Sequence, residues 1–234
     1  MLLFLLPPDR GKWGASFTGE TSQTDGNGHG THVAGTIGGK TYGLAKKVNI
    51  ICVRVLSASG SGSTSGVVAG MNWARDQARA SGRPSVANMS LGGGKSTTID
   101  NAARGLISAG VALALAAGNE SEDACTGSPS GTREAFTVGA SDKNNRYATF
   151  SDYGPCVDMI APGVAIKSAW KGNSVNTISG TSMATPHVAG ALALAYGERS
   201  FANPAAAFTY LTGKAKKNAI SSVPSGTVNL FLQI

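Results

Sequence analysis

The chain has 234 residues, of which 41% are hydrophobic and 14% charged, so we expect one large domain with a substantial core. Its 32 glycines follow no collagen-like period and form no linker between two domains, and no segment repeats. The net charge is +7, but basic residues cluster only at Lys46–Lys47 and Lys214–Lys217. This distribution favours a solvated basic surface over nucleic-acid binding, and acidic or wall-bound substrates are the alternative.

The first residues, Met1–Leu6, are apolar but lack the basic start, the full-length apolar region and the cleavage site of a signal peptide. No apolar run approaches the roughly 20 residues that a membrane span needs, so we expect no membrane contact. Downstream, apolar runs alternate with segments of helical spacing, which predicts an α/β fold with a mostly parallel sheet covered on both faces. The predicted strands are Asn49–Leu56, Val86–Leu91, Val111–Ala117, Thr137–Ala140 and Val157–Ala161, and the predicted helices are Ser65–Ala80, Ile99–Ala109, Thr185–Tyr196 and Pro204–Thr212.

The three cysteines suggest two different roles. Cys52 lies inside the first of these strands, which predicts a buried free thiol. Cys125 and Cys156 both lie in loop-like sequence. If they pair, the closed loop of about 30 residues would stabilise the fold by roughly 3–4 kcal/mol and would indicate an oxidising compartment.

Two short motifs carry candidate catalytic groups. Gly28–Gly35 (GHGTHVAG) offers His29 on a glycine-rich turn, and Gly180–His187 (GTSMATPH) offers Ser182 just before a helix. A serine is a poor nucleophile unless a neighbouring base takes its proton. At a helix N-terminus the Ser182 N–H could also help to hold an oxyanion, although a plain helix cap is the alternative interpretation.

A zinc site at these histidines is disfavoured. His29 and His32 are three residues apart, but no acidic residue stands at the spacing that zinc peptidases use, and His187 is far along the chain. We therefore expect His32 and His187 either to support the side chains around the site or to pack in the core.

Polar and glycine residues also follow two of the predicted strands. Asn119 comes after the strand Val111–Ala117, where its amide suits an oxyanion donor, although a turn asparagine is the alternative. Ser90–Gly94 follows another strand, and its glycines would let an extended peptide pair there as an added strand. A phosphate loop is rejected, because Met89 stands where its first glycine is required.

Four segments in this order resemble the subtilisin-like serine proteases, or subtilases, of the proteinase K-like branch. They are Asp25–Thr36, Asn88–Gly93, Ala116–Asn119 and Ser179–Gly190, and the resemblance runs from about Thr24 to Leu232. It implies a three-layer subtilisin-like fold with a mostly parallel central sheet, with residues 1–23 as a divergent N-terminal remnant and residues 24–234 as the peptidase domain.

The resemblance also implies a role for each matching residue. The enzyme it implies is a serine endopeptidase that works through an acyl-enzyme and prefers apolar or aromatic residues on the acyl side of the cleaved bond, the P1 position. His29 would be its general base, Ser182 its nucleophile and Asn119 its oxyanion donor. The residues matching the substrate groove are Ser90, Leu91, Gly92 and Gly118.

Structural features are implied in the same way. Asp158 matches an aspartate that binds structural Ca²⁺ together with backbone carbonyls, here those of Arg133 and Ala135, while a surface ion pair is the alternative. Cys125 and Cys156 match positions that form a disulfide in some relatives. The resemblance further implies a secreted monomer that acts on protein or peptide substrates.

One expected element departs from the family pattern. The family's triad aspartate lies in an Asp-Thr/Ser-Gly turn after a central strand, roughly 30 residues before the histidine, and only 28 residues precede His29. Asp9 follows Pro7–Pro8 rather than a strand, and Asp25 belongs to the histidine motif itself. We therefore expect a chain that is truncated before its first catalytic strand, with Leu2–Leu6 partly filling the space.

Two other interpretations remain open because the triad aspartate is absent. The chain could be a pseudoprotease that binds peptides along Ser90–Gly93 without cutting them, or it could be a fragmentary gene model.

Overall fold

The computed structural model describes residues 2–5 and 11–234 and has a nine-stranded sheet at its centre. Its helices are α1 (His29–Gly38), α2 (Thr64–Ser81), α3 (Thr97–Ser108), α4 (Thr181–Glu198) and α5 (Pro204–Lys214). Its strands are β1 (Leu2–Leu5), β2 (Lys12–Ser16), β3 (Ile50–Arg54), β4 (Ser85–Met89), β5 (Gly93–Gly94), β6 (Val111–Ala116), β7 (Gly127–Ser128), β8 (Phe136–Ser141), β9 (Met159–Pro162), β10 (Ile166–Trp170), β11 (Ser174–Ile178), β12 (Lys216–Lys217) and β13 (Leu230–Phe231).

The central sheet is mostly parallel. Its strands run in the order β12, β13, β9, β8, β6, β4, β1, β3 and β2, and every neighbouring pair is parallel except the β12–β13 pair and the two pairs made by β1. Two short antiparallel pairs, β5 with β7 and β10 with β11, lie outside this sheet. The α/β architecture expected from the sequence is confirmed.

Helices cover both faces of the sheet. Alternate residues of β6 show this directly, since Ala112 and Ala114 pack in one apolar cluster while Leu113 and Leu115 pack in the other. Helices α1, α4 and α5 contribute to the first cluster, and α2 and α3 contribute to the second. A strand buried on both faces is apolar at every position, which explains the uninterrupted run VALALA.

Strand β1 occupies the middle of the sheet, where the sequence predicted a missing strand. Leu2 pairs with both Val53 and Met89, so β1 runs antiparallel to its neighbours β3 and β4. The expectation that Leu2–Leu6 fills this space is confirmed for Leu2–Leu5. Because β1 is reversed, its amino end lies at the edge of the sheet where the parallel strands have their carboxyl ends.

Two predicted boundaries were wrong near the candidate site. His29 does not lie on a turn but is the first residue of α1. The glycines of α1 allow it to pack closely against β10, since a Cβ on Gly35 would overlap the Ser168 hydroxyl. Helix α4 begins at Thr181 instead of Thr185, so Ser182 lies in its first turn.

No helix among the described residues is long and apolar enough to cross a membrane.

Candidate active site

The loop before α1 is organised by the carboxylate of Asp25. It accepts hydrogen bonds from the backbone N–H groups of Asn27, Gly28 and Thr31 and from the Thr31 hydroxyl, at 2.7–3.0 Å. Burial raises the pKa of Asp25, but these hydrogen bonds outweigh it and hold the pKa below its usual value. Asp25 is therefore committed to its own loop, as the sequence analysis expected.

Gly28 sets the entry into α1. Its φ of 108° lies in the left-handed region, and a Cβ at this position would overlap the ring of Trp170. Trp170 also packs edge-on against His32, with ring centroids 6.1 Å apart. The end of β10 thus fixes the backbone from which the His29 side chain projects.

The imidazole of His29 has no hydrogen-bond partner among residues 2–5 and 11–234. Burial lowers its pKa to about 4. The ring is therefore neutral at pH 7, as a general base must be. The charge of Asp25 raises the pKa of His29 but does not outweigh burial, and no described carboxylate forms a hydrogen bond with the ring. Asp9, the other carboxylate considered from the sequence, lies outside the described residues.

Ser182 is held at the end of β4 by two contacts with Ser90. The Ser90 hydroxyl donates to the Ser182 carbonyl at 2.8 Å, and the Ser182 hydroxyl donates to the Ser90 carbonyl at 3.4 Å. The first contact follows from Pro186, which has no N–H to offer the Ser182 carbonyl four residues earlier in the helix. The long second contact leaves the hydroxyl weakly held.

The side chain of Asn119 is oriented by the start of α4. Its amide oxygen accepts hydrogen bonds from the Thr181 N–H at 2.8 Å and from the Thr181 hydroxyl at 3.1 Å. With the oxygen fixed, the amide NH₂ group has no acceptor among the described residues and remains available as a donor. Thr181 is a positioning residue that the sequence analysis missed, although it stands directly before Ser182.

Two adjoining cavities surround these groups. One of about 750 Å³ is lined by His29, Ser90 and the partly buried thiol of Cys52. The other, of about 360 Å³, is lined by Ser182, Asn119 and Gly118. Residues 91–94 line both cavities. Each of the predicted groove residues therefore lines at least one of these two adjoining cavities.

The groove edge is open for pairing at two residues. Gly93 and Gly94 pair with β7, whereas Leu91 and Gly92 make no backbone hydrogen bond to any described residue. An extended peptide could therefore donate to and accept from their backbone groups.

The other two histidines are occupied elsewhere. The Nε2 of His32 lies 2.9 Å from the Ile166 carbonyl, and the Nδ1 of His187 lies 2.9 Å from the Met183 carbonyl. Burial lowers the pKa of both. Cys52 is a free cysteine, as expected, although the residue is partly rather than completely buried, and burial raises the pKa of its thiol to about 11.

A charged network that the sequence analysis missed supports the loop leading into Asp25. Arg54, 7% exposed at the end of β3, forms a salt bridge with Glu20 and donates to the carbonyls of Thr24 and Leu56. The only sequence signal was an arginine inside an otherwise apolar strand.

Asp158 is half-buried and lies just before β9. One of its carboxylate oxygens accepts from the Thr137 N–H at 2.8 Å. Burial raises its pKa to about 6, although Arg133 opposes this effect. The carbonyls of Arg133 and Ala135 accept no hydrogen bond from any described residue. No group of three or more histidine, cysteine or acidic side chains suited to a metal occurs in the described chain.

Cys125 and Cys156 form a disulfide. It links the short 3₁₀ helix Ala124–Thr126, which flanks the 360 Å³ cavity, to the segment before Asp158.

A mostly parallel α/β sheet with a serine, a histidine and an amide donor lining two adjoining cavities is an architecture of serine hydrolases. The chain belongs to the subtilase family, whose sequence profile (Peptidase_S8: Subtilase family) matches residues 9–227. Its fold is therefore the subtilisin-like fold of this family.

Similar proteins agree with this placement. The chain is 51% identical to alkaline serine exoprotease A of Vibrio alginolyticus over 213 residues. This alignment covers 91% of the present chain and 39% of the Vibrio protein. The chain is 48% identical over 227 residues to proteinase T of Parengyodontium album, covering 95% and 76% of the two chains. A crystal structure of a cold-adapted subtilisin-like serine proteinase superposes with a TM-score of 0.92 at 50% identity, covering 95% of this chain and 81% of that one.

The chain spans between 39% and 76% of the length of these two relatives and 54% of the subtilisin-like serine protease AsES of Sarocladium strictum.

Proposed function

We propose that the chain carries the site of a serine endopeptidase, with residues 24–234 as its peptidase domain, Ser182 as nucleophile, His29 as general base and Asn119 as oxyanion donor. The observation that supports it best is the orientation of Asn119. Thr181 fixes its amide oxygen, which leaves the NH₂ group free beside Ser182. A donor fixed beforehand costs little reorganisation when negative charge develops on the substrate oxygen.

The steps follow from the roles of these groups. The Ser182 oxygen attacks the peptide carbonyl carbon while its proton passes to His29, and the carbonyl oxygen becomes an oxyanion held by the Asn119 amide and the Ser182 N–H. The tetrahedral intermediate then breaks the carbon–nitrogen bond, and the amine leaves with the proton from His29. Water repeats the sequence to release the acyl group from Ser182. Ser90, Leu91, Gly92 and Gly118 would bind the peptide during these steps.

The unpartnered imidazole of His29 favours a second candidate function. A base with a pKa of about 4 has little driving force to take the serine proton, and no described carboxylate forms a hydrogen bond with the imidazole. The same groove would then bind peptides without cutting them. The two candidates share one peptide site and differ in the rate of acylation.

A fluorophosphonate probe separates the two candidates. We expect slow labelling of the chain, on the order of 10⁴-fold slower than for a complete triad, since loss of the aspartate from subtilisin costs about 3 × 10⁴ in kcat. The Ser182→Ala variant should show no labelling but retain peptide binding by calorimetry. Labelling that persists in this variant contradicts the endopeptidase assignment, and peptide binding without any labelling of the unaltered chain supports the second candidate.

We also infer a structural Ca²⁺ site at Asp158 with the carbonyls of Arg133 and Ala135. A carboxylate and carbonyl oxygens are the ligands that this hard cation prefers. Asp158 fits, because its carboxyl is half-buried with a raised pKa, and the two carbonyls fit because no described group donates to them. Bound Ca²⁺ would neutralise the buried charge and tie the start of β8 to the segment before β9.

The Asp158 site predicts a pH-dependent stability difference. The folded-state pKa of about 6 lies above the ordinary 3.8, so ionisation of this group destabilises the fold as pH rises from about 4 to about 6. At pH 8 without calcium, Asp158→Asn should therefore be more stable than the unaltered chain by roughly 2–3 kcal/mol, and at pH 4 the two should be equal. Urea unfolding at both pH values with EGTA measures this difference.

Calcium should reverse the order of the two proteins. At pH 8, added Ca²⁺ should stabilise the unaltered chain and leave Asp158→Asn unchanged. A calcium effect of the same size in both would place the ion elsewhere.

The Cys125–Cys156 disulfide supports export to an oxidising compartment. We propose a secreted monomer that acts on proteins or peptides.

A further inference from the structure

The cavity beside Ser182 and Asn119 has three carboxylates in its wall. They belong to Glu120, Glu122 and Asp152, and no lysine, arginine or histidine among the described residues lines this cavity. This is unexpected in a chain of net charge +7. The nearest basic side chain in sequence to the groove edge, Lys95, is held 3.0 Å from a different carboxylate, that of Asp100.

Asp152 presents an unsatisfied oxygen to the cavity. The residue is 7% exposed, and its Oδ1 accepts hydrogen bonds from the backbone N–H groups of Glu120 at 2.8 Å and Glu122 at 3.1 Å. Its Oδ2 has no donor among the described residues. It lies against Gly118, where any Cβ would overlap it. Because Gly118 has no side chain, the carboxylate reaches the cavity wall.

The two exposed glutamates add to this negative charge. Burial raises the pKa of Asp152, the backbone N–H groups of Glu120 and Glu122 oppose this, and the charges of the two glutamates raise the pKa again. Glu120 is itself fixed, since its Oε2 accepts from the Asn119 N–H at 2.7 Å. The cavity therefore has a fixed negative wall next to the candidate nucleophile.

A neutral occupant would remove water from the Oδ2 of Asp152 without replacing its hydrogen bonds, which is costly for a charged group. A guanidinium or ammonium group supplies donors and opposite charge together. We propose that this cavity selects a lysine or arginine side chain at the P1 position of the peptide. This selectivity rests on the proposed peptide site, and it differs from the apolar or aromatic preference implied by the family resemblance.

Calorimetry with uncleaved peptides tests the selectivity. The full chain carrying Ser182→Ala is titrated with acetyl-Ala-Ala-Pro-Xaa-amide, where Xaa is arginine, citrulline or phenylalanine. Citrulline has nearly the shape of arginine without its charge. We expect the arginine peptide to bind about tenfold more tightly than either of the others, and the ratio to fall as salt rises from about 0.05 to 0.5 M.

Two variants locate the effect. Glu120→Gln combined with Glu122→Gln should reduce the arginine-to-citrulline ratio severalfold, whereas Glu198→Gln, an exposed change at the far end of α4, should leave it unaltered. Equal binding of arginine and citrulline, or tighter binding of phenylalanine, overturns the selectivity while the peptide site stands. If none of the peptides binds, the proposed peptide site fails and the selectivity fails with it.

Discussion

Replacing residues 1–10 with a strand that runs parallel to β3 and β4 and ends in Asp-Thr-Gly is expected to raise kcat for peptide hydrolysis about 10⁴-fold. The gain comes from a carboxylate that orients His29 and stabilises its protonated form. In the present chain β1 contributes only leucine and phenylalanine to the centre of the sheet, and it runs in the opposite direction. A carboxylate placed after β1 would enter at the wrong edge, so the whole strand has to be reversed.

The pH profile of kcat/KM shows whether the carboxylate causes the gain. Burial holds the pKa of His29 at about 4 in the present chain, so activity should fall only as the pH approaches that value. A carboxylate beside the ring raises this pKa, and the acid limb should move upward. The matched control carries Asn-Thr-Gly on the same strand. If both replacements increase kcat equally, the gain comes from repair of the sheet and not from a carboxylate that orients His29.

Removing the disulfide is expected to lower the stability by roughly 3–4 kcal/mol in the chain-entropy model. Cys125 and Cys156 are 31 residues apart, and the loop they close includes β7 and β8. For a chain of this length each kcal/mol corresponds to about 2–4 °C, so the double variant Cys125→Ala, Cys156→Ala should melt about 10 °C lower. Scanning calorimetry of both proteins measures the shift.

Reduction supplies the control for this double variant. Dithiothreitol should lower the melting temperature of the unaltered chain by a similar amount and should leave the double variant unchanged, since its remaining thiol, Cys52, is free. A further drop in the reduced double variant would show that another effect of the reagent is being measured.

Much of the fold was predictable because central strands and amphipathic helices leave strong patterns. The run VALALA has one interpretation in an α/β chain, and β6 lies within one residue of its prediction. The start of α4 was harder to predict because Pro186 is normally a first-turn residue, whereas here the hydroxyl of Ser90 replaces the missing backbone donor. That contact joins residues 92 positions apart, and no local pattern encodes it.

In the candidate site, too, local segments were predictable from the sequence and long-range contacts were not. The segments around His29, Asn119 and Ser182 were recognisable by their residues alone. The contacts that orient these segments could not be predicted, because they join side chains from distant elements. Thr181 hydrogen-bonds to Asn119, Trp170 packs against Gly28, and Arg54 donates to the loop before α1. The carboxylate of Asp152 was invisible for a further reason, since only the absence of a side chain at Gly118 exposes it to the cavity.

The reversed strand β1 also affects the cooperativity of the molecule. It is the only strand that joins β2 and β3 to the other six strands of the described sheet. If these four residues detach, the backbone groups of β3 and β4 facing them lose their partners together, and the sheet becomes two sheets connected through helices and loops. Amides in β2 and β3 would then exchange with solvent through a partial unfolding event that leaves β4, β6 and α4 folded. The Arg54 network and the candidate nucleophile would accordingly belong to separate units of local stability.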